Sequence, residues 1–278
     1  MKLYRTKTGV LLETGGAYYR VPCENWDDLI NNDNIFQDLK QAIPTFSSVG
    51  NGAREIEDGL LIPLQSQEIW ASGVTYLRSK QGRQEESGAT GGADFYQRIY
   101  EAERPELFFK ANAARTSASG ENIRIRKDST WDVPEPELTL VMTASSKIIG
   151  YTIGNDVSSR SIEGENPLYL PQAKTYDGCA AVGPCILLTE APLDPQTQIH
   201  LNIERAGTSI FSDSIAINQI TRKFTDLAEF LYRECSFPYG ALLMTGTGIV
   251  PDSGFTLKSG DVVSIEIDGI GRLKNAVA

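Results

Sequence analysis

Histidine is almost absent from this sequence. Its 278 residues include a single one, His200. Zinc sites built on several histidines and Ser-His or Cys-His catalytic pairs are therefore excluded unless His200 itself serves. His200 stands in the segment QIHLNIERAG, where apolar and polar residues alternate as they do along a half-buried strand. We interpret His200 as a solvent-exposed strand residue.

Cysteine and positive charge are also scarce. The cysteines form neither a CxxC pair nor a dense framework, and we interpret them as buried or incidental thiols. They are Cys23, Cys179, Cys185 and Cys235. The chain carries 26 Lys and Arg against 36 Asp and Glu, a formal net charge of −10. Because nucleic acids and anionic membranes attract clustered Lys and Arg, neither is an expected partner.

Long hydrophobic runs are missing as well. No stretch approaches the roughly 18 consecutive apolar residues of a membrane-spanning helix. The first residues, MKLYRTKTGVLLE, contain no apolar core of signal-peptide length. These absences predict a cytoplasmic protein.

The pattern along the chain changes near residue 65 and predicts two domains. Residues 1–65 contain short strand-like segments punctuated by glycine and an amphipathic stretch over 26–42, which predict a small N-terminal α/β domain. The segment VGNGAREIEDG at 49–59 predicts a loop. Residues 66–278 contain many strand-like segments and few helices without βαβ alternation, which predicts an α+β, mainly β, architecture.

Strands dominate the second predicted domain. The predicted strands are 106–110, 121–126, 135–143, 147–156, 181–189, 199–205, 209–217, 241–244 and 262–274. One clear helix interrupts these strands, over 224–235, with Thr225 as its N-cap. Another helix is predicted before them, over DFYQRIYEAE at 94–103, and Pro105 stops it. The polar, glycine-bearing segment over 77–95 is too long for a simple turn, and it predicts either a functional lid or a solvated loop.

The segment WDVPEPELTLV places two carboxylates, Glu135 and Glu137, at the start of an apolar run. Side chains alternate along a strand, so both carboxylates point to the same face. Like charges side by side at the edge of a core are unfavourable unless a positive charge lies between them. Oxygen ligands suit a hard ion, so we expect Mg²⁺ first, then Mn²⁺ or Ca²⁺.

A metal site of this kind needs a third carboxylate. Asp156 is the best candidate, because GYTIGNDVSSR places it where a predicted strand becomes a loop. Asp177 in KTYDG is the alternative, although an Asp before Gly is also typical of a turn. Lys174 lies in LPQAKTYDG. These residues fit a lysine in a binding site and a lysine on the protein surface equally well. The segment TGTG at 245–248 predicts either a ligand-binding turn or a plain β-turn.

Five ordered segments resemble the fumarylacetoacetate hydrolase family: PEPELTLV, GYTIGNDVSSR, PQAKTYDG, TGTG and GDVVSIEIDGIGRLKN. The resemblance implies a mixed β-roll like the C-terminal domain of that family, assembled as a homodimer or homotetramer. It implies that Glu135, Glu137 and Asp156 hold a divalent metal, with Lys174 beside the metal and Thr245 in a turn that contacts the substrate.

One segment departs from the family pattern. Hydrolytic members commonly carry GxNYxxHA at the start of the lid, and their histidine activates water. Here the sequence reads GVTYLRSK, with Ser79 in place of that histidine. A serine has no basic lone pair near neutral pH, so this water activation is not available.

Three further segments resemble one branch of the family, the 2-keto-3-deoxy-D-arabinonate dehydratases. They are GVTYLRSK, YEAERPELFFKA and EGENPLYLPQAK. This resemblance implies a Mg²⁺-dependent lyase that converts a 2-keto-3-deoxy sugar acid to 2,5-dioxopentanoate through a metal-stabilised enolate. Sugar-acid breakdown is the expected context.

Candidates for proton transfer follow from this reaction. Glu106 follows a helix-stopping Pro and opens a strand-like run, so it is the first candidate for acid or base, although a surface glutamate fits equally. Lys174 is the second candidate, since a nearby divalent cation lowers the affinity of an amine for its proton. Arg78 can pair with the substrate carboxylate. We expect Arg78, Ser79, Lys174 and Thr245 to contact the substrate.

Two other functions remain open from the sequence. A C–C bond hydrolase of acylpyruvates or 2,4-diketo-3-deoxy sugar acids would need a base other than the missing histidine, such as Glu85, Glu86 or Glu106. A non-catalytic protein that binds a 2-keto acid is the third interpretation. Loss of substrate separates both enzymes from the binding protein, and the product separates the two enzymes.

Overall fold

The computed structural model describes residues 1–77 and 99–278, and this part of the chain is mainly β, as predicted. In chain order the strands are β1 (Lys2–Thr6), β2 (Gly9–Thr14), β3 (Ala17–Val21), β4 (Ser47–Ser48), β5 (Glu68–Gly73), β6 (Glu106–Ala111), β7 (Thr116–Ser117), β8 (Asn122–Ile123), β9 (Asp132–Val133), β10 (Pro136–Met142), β11 (Ile148–Asp156), β12 (Ser158–Ser159), β13 (Ala180–Leu188), β14 (Gln198–Arg205), β15 (Thr208–Ala216), β16 (Ala241–Met244), β17 (Val262–Ile267) and β18 (Gly271–Val277).

The helices are short. They are α1 (Trp26–Ile30), α2 (Ile35–Ala42), α3 (Gly52–Gly59), α4 (Arg160–Glu165), α5 (Leu170–Lys174) and α6 (Phe224–Tyr232), with 3-10 turns at Ile43–Thr45, Ala113–Arg115, Pro167–Tyr169 and Ile217–Gln219. Residues 99–101 are also helical. Within the described ranges, no helix is long and apolar enough to cross a membrane.

Two large sheets organise the chain. The first has eleven strands in the order β4-β3-β2-β1-β13-β11-β10-β16-β5-β6, with β7 paired to β13. The second has the order β15-β14-β17-β18-β8, and β12 pairs with β9 in a small third sheet. Because β1 pairs with β13, the first sheet runs without interruption from the N-terminal strands into the rest of the chain. The domain boundary at 65/66 stays a prediction.

Strand β10 lies at the centre of the first sheet and is buried along its whole length. It pairs with β11 on one side and with β16 on the other. Leu138, Leu140 and Met142 join one hydrophobic core cluster, whereas Val141 joins the other. The second sheet packs on the first of these clusters through residues such as Leu201. A polar residue at either end of β10 therefore lies between two hydrophobic clusters, one on each face of the sheet.

The N-terminal predictions need two corrections. The stretch predicted to be helical over 26–42 is two helices, α1 and α2, because an Asn- and Asp-rich segment at 31–34 interrupts it. The predicted loop over 49–59 contains helix α3. Its Ala, Arg and Glu residues are good helix formers, and this local preference outweighs the flanking glycines.

Later segments need three corrections. The predicted strand over 262–274 is the hairpin β17–β18, with Gly269 in the turn at φ +79°. Thr225 lies inside α6, whose N-cap is Lys223. Only Asn122–Ile123 of the predicted strand over 121–126 is paired. The lid predicted over 77–95 falls outside the described residues, except for Leu77.

Candidate metal centre

Strand pairing brings three carboxylates onto one face of the first sheet. Glu137 pairs with Gly154 across β10 and β11, and the backbone N–H of Asp156 donates to the carbonyl of Glu135. Directly opposed residues share a face, and so do residues two apart on one strand. Glu135, Glu137 and Asp156 therefore lie on the same face, opposite a glycine that adds no side chain between them.

The three carboxylates form a compact, buried cluster. One oxygen from each of Glu135, Glu137 and Asp156 lies within 4.8 Å of the others. Their exposed fractions are 6%, 1% and 1%. They line a small cavity together with Phe108 and Lys174. Such a cluster of like charges requires compensation by cations.

Buried cations supply part of that compensation. Lys174 Nζ lies 2.7 Å from Glu135 Oε2 and 3.3 Å from Asp156 Oδ2. Lys110 Nζ lies 2.5 Å from Asp156 Oδ1, and Arg160 Nη2 lies 3.0 Å from Glu135 Oε1. Each of these cations is at most 3% exposed.

The pKa values of two of the carboxyl groups move in opposite directions. Burial and the charges of Asp156 and Glu135 raise the pKa of Glu137 well above its ordinary value. Burial alone would also raise the pKa of Asp156, but the ammonium groups of Lys110 and Lys174 outweigh it and hold that pKa below its ordinary value. Of these two residues, Glu137 gains more from an added cation.

The TGTG segment closes one side of the cavity. The Gly246 N–H donates to Glu137 Oε2, and Gly246 adopts φ +91°. A Cβ at this position would lie 2.0 Å from Thr75 Oγ1, so only glycine fits. Val74, which also lines the cavity, adopts φ +55°. This left-handed conformation is strained for a β-branched residue, and such strain is typical of functional sites.

The donor set fits a hard divalent ion. All three side chains offer carboxylate oxygens, and the described residues bring no histidine or thiol into the cluster. Mg²⁺ prefers oxygen ligands and is usually bound through a few carboxylates while it keeps part of its hydration shell. The cavity beside the cluster leaves space for water next to the carboxylates.

The proton-transfer candidates occupy different places. Lys174 lies at the end of α5 and lines the cavity, where its ammonium also donates to Ser158 Oγ at 2.6 Å. Glu106 opens β6 and pairs with Gly73 of β5. Its carboxylate packs over Gly73, where an added Cβ would lie 2.2 Å from Glu106 Oε2. Gly73 lines the cavity, so Glu106 lies next to it.

The predicted substrate contacts are only partly described. Arg78 and Ser79 lie outside the described residues. Thr245 is fully buried and its hydroxyl donates to the Leu138 carbonyl, whereas Thr247 of the same turn lines the cavity. The role of Thr245 stays a prediction.

Two other sequence candidates lie away from the cluster. Asp177 is 79% exposed at its side chain and lies 3.9 Å from Arg115. His200 lies on β14 with its side chain 47% exposed, which agrees with its interpretation as a solvated strand residue. The cysteines are free thiols, as predicted.

Sequence reasoning missed Lys110, Ser158 and Arg160. Ser158 and Arg160 stand within the segment GYTIGNDVSSR, only two and four residues after Asp156. Lys110 ends the apolar run LFF, and a lysine inside a predicted buried strand is a usable signal because lysine is rarely fully buried without a partner.

Comparisons with known proteins agree with this geometry. Residues 69–278 match the family described as fumarylacetoacetate (FAA) hydrolase C-terminal. A probable 2-keto-3-deoxyxylonate dehydratase of Haloferax volcanii is 48% identical over 217 residues, which cover 78% of this chain and 74% of that protein. A 2-dehydro-3-deoxy-D-arabinonate dehydratase of Saccharolobus solfataricus is 43% identical over 213 residues, which cover 76% and 72%.

A solved structure extends the likeness to the whole fold. It is a 2-keto-3-deoxy-D-arabinonate dehydratase complexed with magnesium and 2,5-dioxopentanoate, at 33% sequence identity and a TM-score of 0.86. The match covers 100% of this chain and 98% of that one. The likeness therefore includes the N-terminal strands as well as the region of the family match.

Proposed function

The chain belongs to the fumarylacetoacetate hydrolase family, and from this premise we propose that it is a Mg²⁺-dependent dehydratase, a lyase, acting on a 2-keto-3-deoxy sugar acid. The proposed substrate is of the 2-keto-3-deoxy-D-arabinonate type, and the proposed product is 2,5-dioxopentanoate. One observation carries the proposal: the buried carboxylates and Lys174 line one cavity in a chain similar throughout its length to a dehydratase complexed with magnesium and that product.

Glu135, Glu137 and Asp156 would hold the Mg²⁺. Bound there, the ion would polarise the keto group of a 2-keto acid and so acidify the protons on the neighbouring C3. Lys110, Arg160 and Lys174 contact Glu135 and Asp156, and Arg160 also faces Glu163. Two further positive charges from the ion would give the loaded site a positive surplus. That surplus favours an anionic substrate.

We assign the proton transfers to Glu106 and Lys174. Glu106 removes a proton from C3, since its carboxylate lies against the cavity wall at Gly73. Lys174 is held as an ammonium by Glu135, Asp156 and Ser158, and it donates a proton to the hydroxyl leaving from C4. Loss of water across C3 and C4, followed by tautomerisation, leaves an aldehyde at C5.

Substrate contacts are proposed at Arg78, Ser79, Lys174 and Thr245. The cavity wall supports a role for the turn that contains Thr245, because its neighbours Gly246 and Thr247 line the cavity. A carboxylate of the substrate would pair with the Arg78 guanidinium, which presents a planar donor fork.

The test is product identification by NMR. Purified protein is incubated with 2-keto-3-deoxy-D-arabinonate and Mg²⁺, with and without EDTA, and in parallel with an acylpyruvate. We expect 2,5-dioxopentanoate in the sugar-acid sample and its loss with EDTA. Release of pyruvate from the acylpyruvate, without turnover of the sugar acid, would overturn the dehydratase assignment in favour of the C–C bond hydrolase. Binding without turnover in both samples would favour the non-catalytic 2-keto acid protein.

Assembly and location are further parts of the proposal. We propose a homodimer or homotetramer in the cytoplasm, on the basis of the family resemblance and the sequence composition. Light scattering during size-exclusion chromatography tests the assembly, and a monomer at micromolar concentration would contradict it.

A further inference from the structure

Lys110 is a fully buried lysine beneath the carboxylate cluster. Its ammonium lies 2.5 Å from Asp156 Oδ1 and donates to the carbonyls of Val157 at 3.0 Å and Lys174 at 2.5 Å. The ring of Tyr176 lies 5.8 Å away and covers it. An ammonium has three donors, and here three acceptors occupy them.

These contacts join three separate elements. Lys110 lies on β6, Asp156 ends β11 with Val157 directly after it, and Lys174 ends α5. Lys110 therefore contacts the carboxylate of Asp156, a proposed metal ligand, and the backbone carbonyl of Lys174, a proposed proton donor. Burying a charged lysine is costly, and hydrophobic packing alone does not require an ammonium at this position.

We propose that Lys110 is a positioning residue that sets the charge of the metal site and holds the backbone of Lys174 in place. It touches neither the cavity nor the reacting atoms, since the described lining residues do not include it. It acts through Asp156 and Lys174. The part that concerns turnover rests on the proposed function, whereas the part that concerns metal affinity does not.

The charge argument gives a direction for metal binding. Among the described residues, two of the three carboxylates, Glu135 and Asp156, contact the cations Lys110, Arg160 and Lys174. Arg160 also lies 3.9 Å from the buried carboxylate of Glu163. Removing the charge of Lys110 makes the metal-free site more negative. A divalent cation would then bind more tightly, because a repelling charge next to its ligand Asp156 has been removed.

The backbone argument gives a direction for catalysis. Without a donor from position 110, the Lys174 carbonyl at the end of a short helix loses its partner from β6. Small displacements of a catalytic group cost large factors in rate. Tighter metal binding should therefore accompany slower turnover, a combination that general destabilisation does not produce.

Two variants separate the two roles. Lys110→Met removes the charge and the donors, while Lys110→Gln removes the charge and keeps N–H donors for the carbonyls. Calorimetric titration of EDTA-treated protein with MgCl₂ should show tighter binding in both variants, by about threefold or more. At saturating Mg²⁺, kcat should fall by about tenfold or more in Lys110→Met and by less in Lys110→Gln. Lys110→Gln also keeps the test available if Lys110→Met does not fold.

Arg205→Met is the matched control. It removes the cation from another buried carboxylate, Asp261, which Arg205 contacts at 2.7 Å from the end of β14. It should lower stability without changing Mg²⁺ affinity or kcat. Unchanged or weaker Mg²⁺ binding in both Lys110 variants would overturn the proposal. If wild-type protein binds Mg²⁺ but turns over no sugar acid, the proposed function fails while the affinity measurement still decides the role of Lys110.

Discussion

Among single residues, Glu137 differs from its two carboxylate neighbours in how it is compensated. The ion pairs of the described cluster go to Glu135 and Asp156, while Glu137 accepts the backbone N–H of Gly246. Burial and the neighbouring charges raise its pKa. The metal-free fold therefore bears a cost at this residue, and an added cation removes that cost.

Glu137→Gln tests this cost. The variant keeps the shape of the side chain and removes its charge. The free energy of unfolding of metal-free protein should therefore increase by about 1–3 kcal/mol, and its thermal midpoint should rise. Addition of Mg²⁺ should stabilise wild-type protein and leave the variant unchanged. Thermal unfolding with EDTA and with excess Mg²⁺ measures both effects. A lower midpoint for the metal-free variant would show that the carboxylate stabilises the fold by itself.

Glu106→Gln tests the proposed base. The variant should lower kcat by about 10²-fold or more and leave Mg²⁺ affinity unchanged, because Glu106 is outside the carboxylate cluster. Glu68→Gln is its control, since Glu68 is an exposed glutamate at the start of β5, the strand paired with β6. Steady-state kinetics and Mg²⁺ titration decide the outcome. Equal kcat values for both variants would remove Glu106 from the mechanism.

At the scale of elements, the site depends on close approach between strand ends and turns. Gly246 lies in the turn after β16. It packs against Ser72, which belongs to β5, and against Thr75, which follows β5. That contact brings the Gly246 N–H to Glu137. The parallel pairing of β16 with β5 therefore determines where one proposed ligand points.

Gly246→Ala should disturb both the turn and the ligand. The added Cβ would collide with Thr75 Oγ1, and the alanine would have to adopt the left-handed backbone conformation of Gly246. We therefore expect the unfolding free energy to fall by about 2–4 kcal/mol and Mg²⁺ binding to weaken. Gly207→Ala is the matched control, because Gly207 has φ +78° with nothing within 4 Å of its added Cβ. It should cost about 1 kcal/mol and leave Mg²⁺ binding intact. Urea unfolding and calorimetry compare the two. Equal losses in both variants would contradict a specific role for the turn.

Local patterns predicted some elements and not others. The alternation in PEPELTLV was sufficient to place Glu135 and Glu137 on one face, because strand periodicity is a property of neighbouring residues. Lys110 and Asp156 are 46 residues apart in sequence and meet only after β6 and β11 take their places in the same sheet. Helix α3 was missed because its glycines suggested a loop, although its interior favours a helix.

At the scale of the whole molecule, the β-rich fold could be predicted from the order of strand-like segments and the family resemblance. The order of the strands in the sheet could not be predicted, because β1 pairs with β13, a strand far away in sequence. The same holds for ion pairs that connect distant segments. Arg205 at the end of β14 donates two hydrogen bonds to Asp261, and Lys258 N–H donates a third.

Asp261→Asn tests this connection through pH. Burial alone would raise the pKa of Asp261, but the hydrogen bonds from Arg205 and Lys258 outweigh it and hold that pKa below its ordinary value of 3.8. A lowered pKa contributes stability that is present above the ordinary value and is lost as the pH falls through the folded value. We expect the variant to lose about 2–4 kcal/mol at pH 7. The difference from wild type should shrink below about pH 4, as urea unfolding across pH 3–7 would show. A difference that does not change with pH would contradict the account of this pair.

The central claim is that Glu135, Glu137 and Asp156 form one metal centre. Crystals grown with Mn²⁺ in place of Mg²⁺ and measured near the manganese absorption edge test it most directly, because anomalous scattering locates the ion itself. We expect one strong peak per chain, with an oxygen of each carboxylate at about 2.0–2.3 Å. Absence of a peak there, or a peak only at exposed carboxylates of the second sheet such as Asp213 and Glu266, would contradict the account.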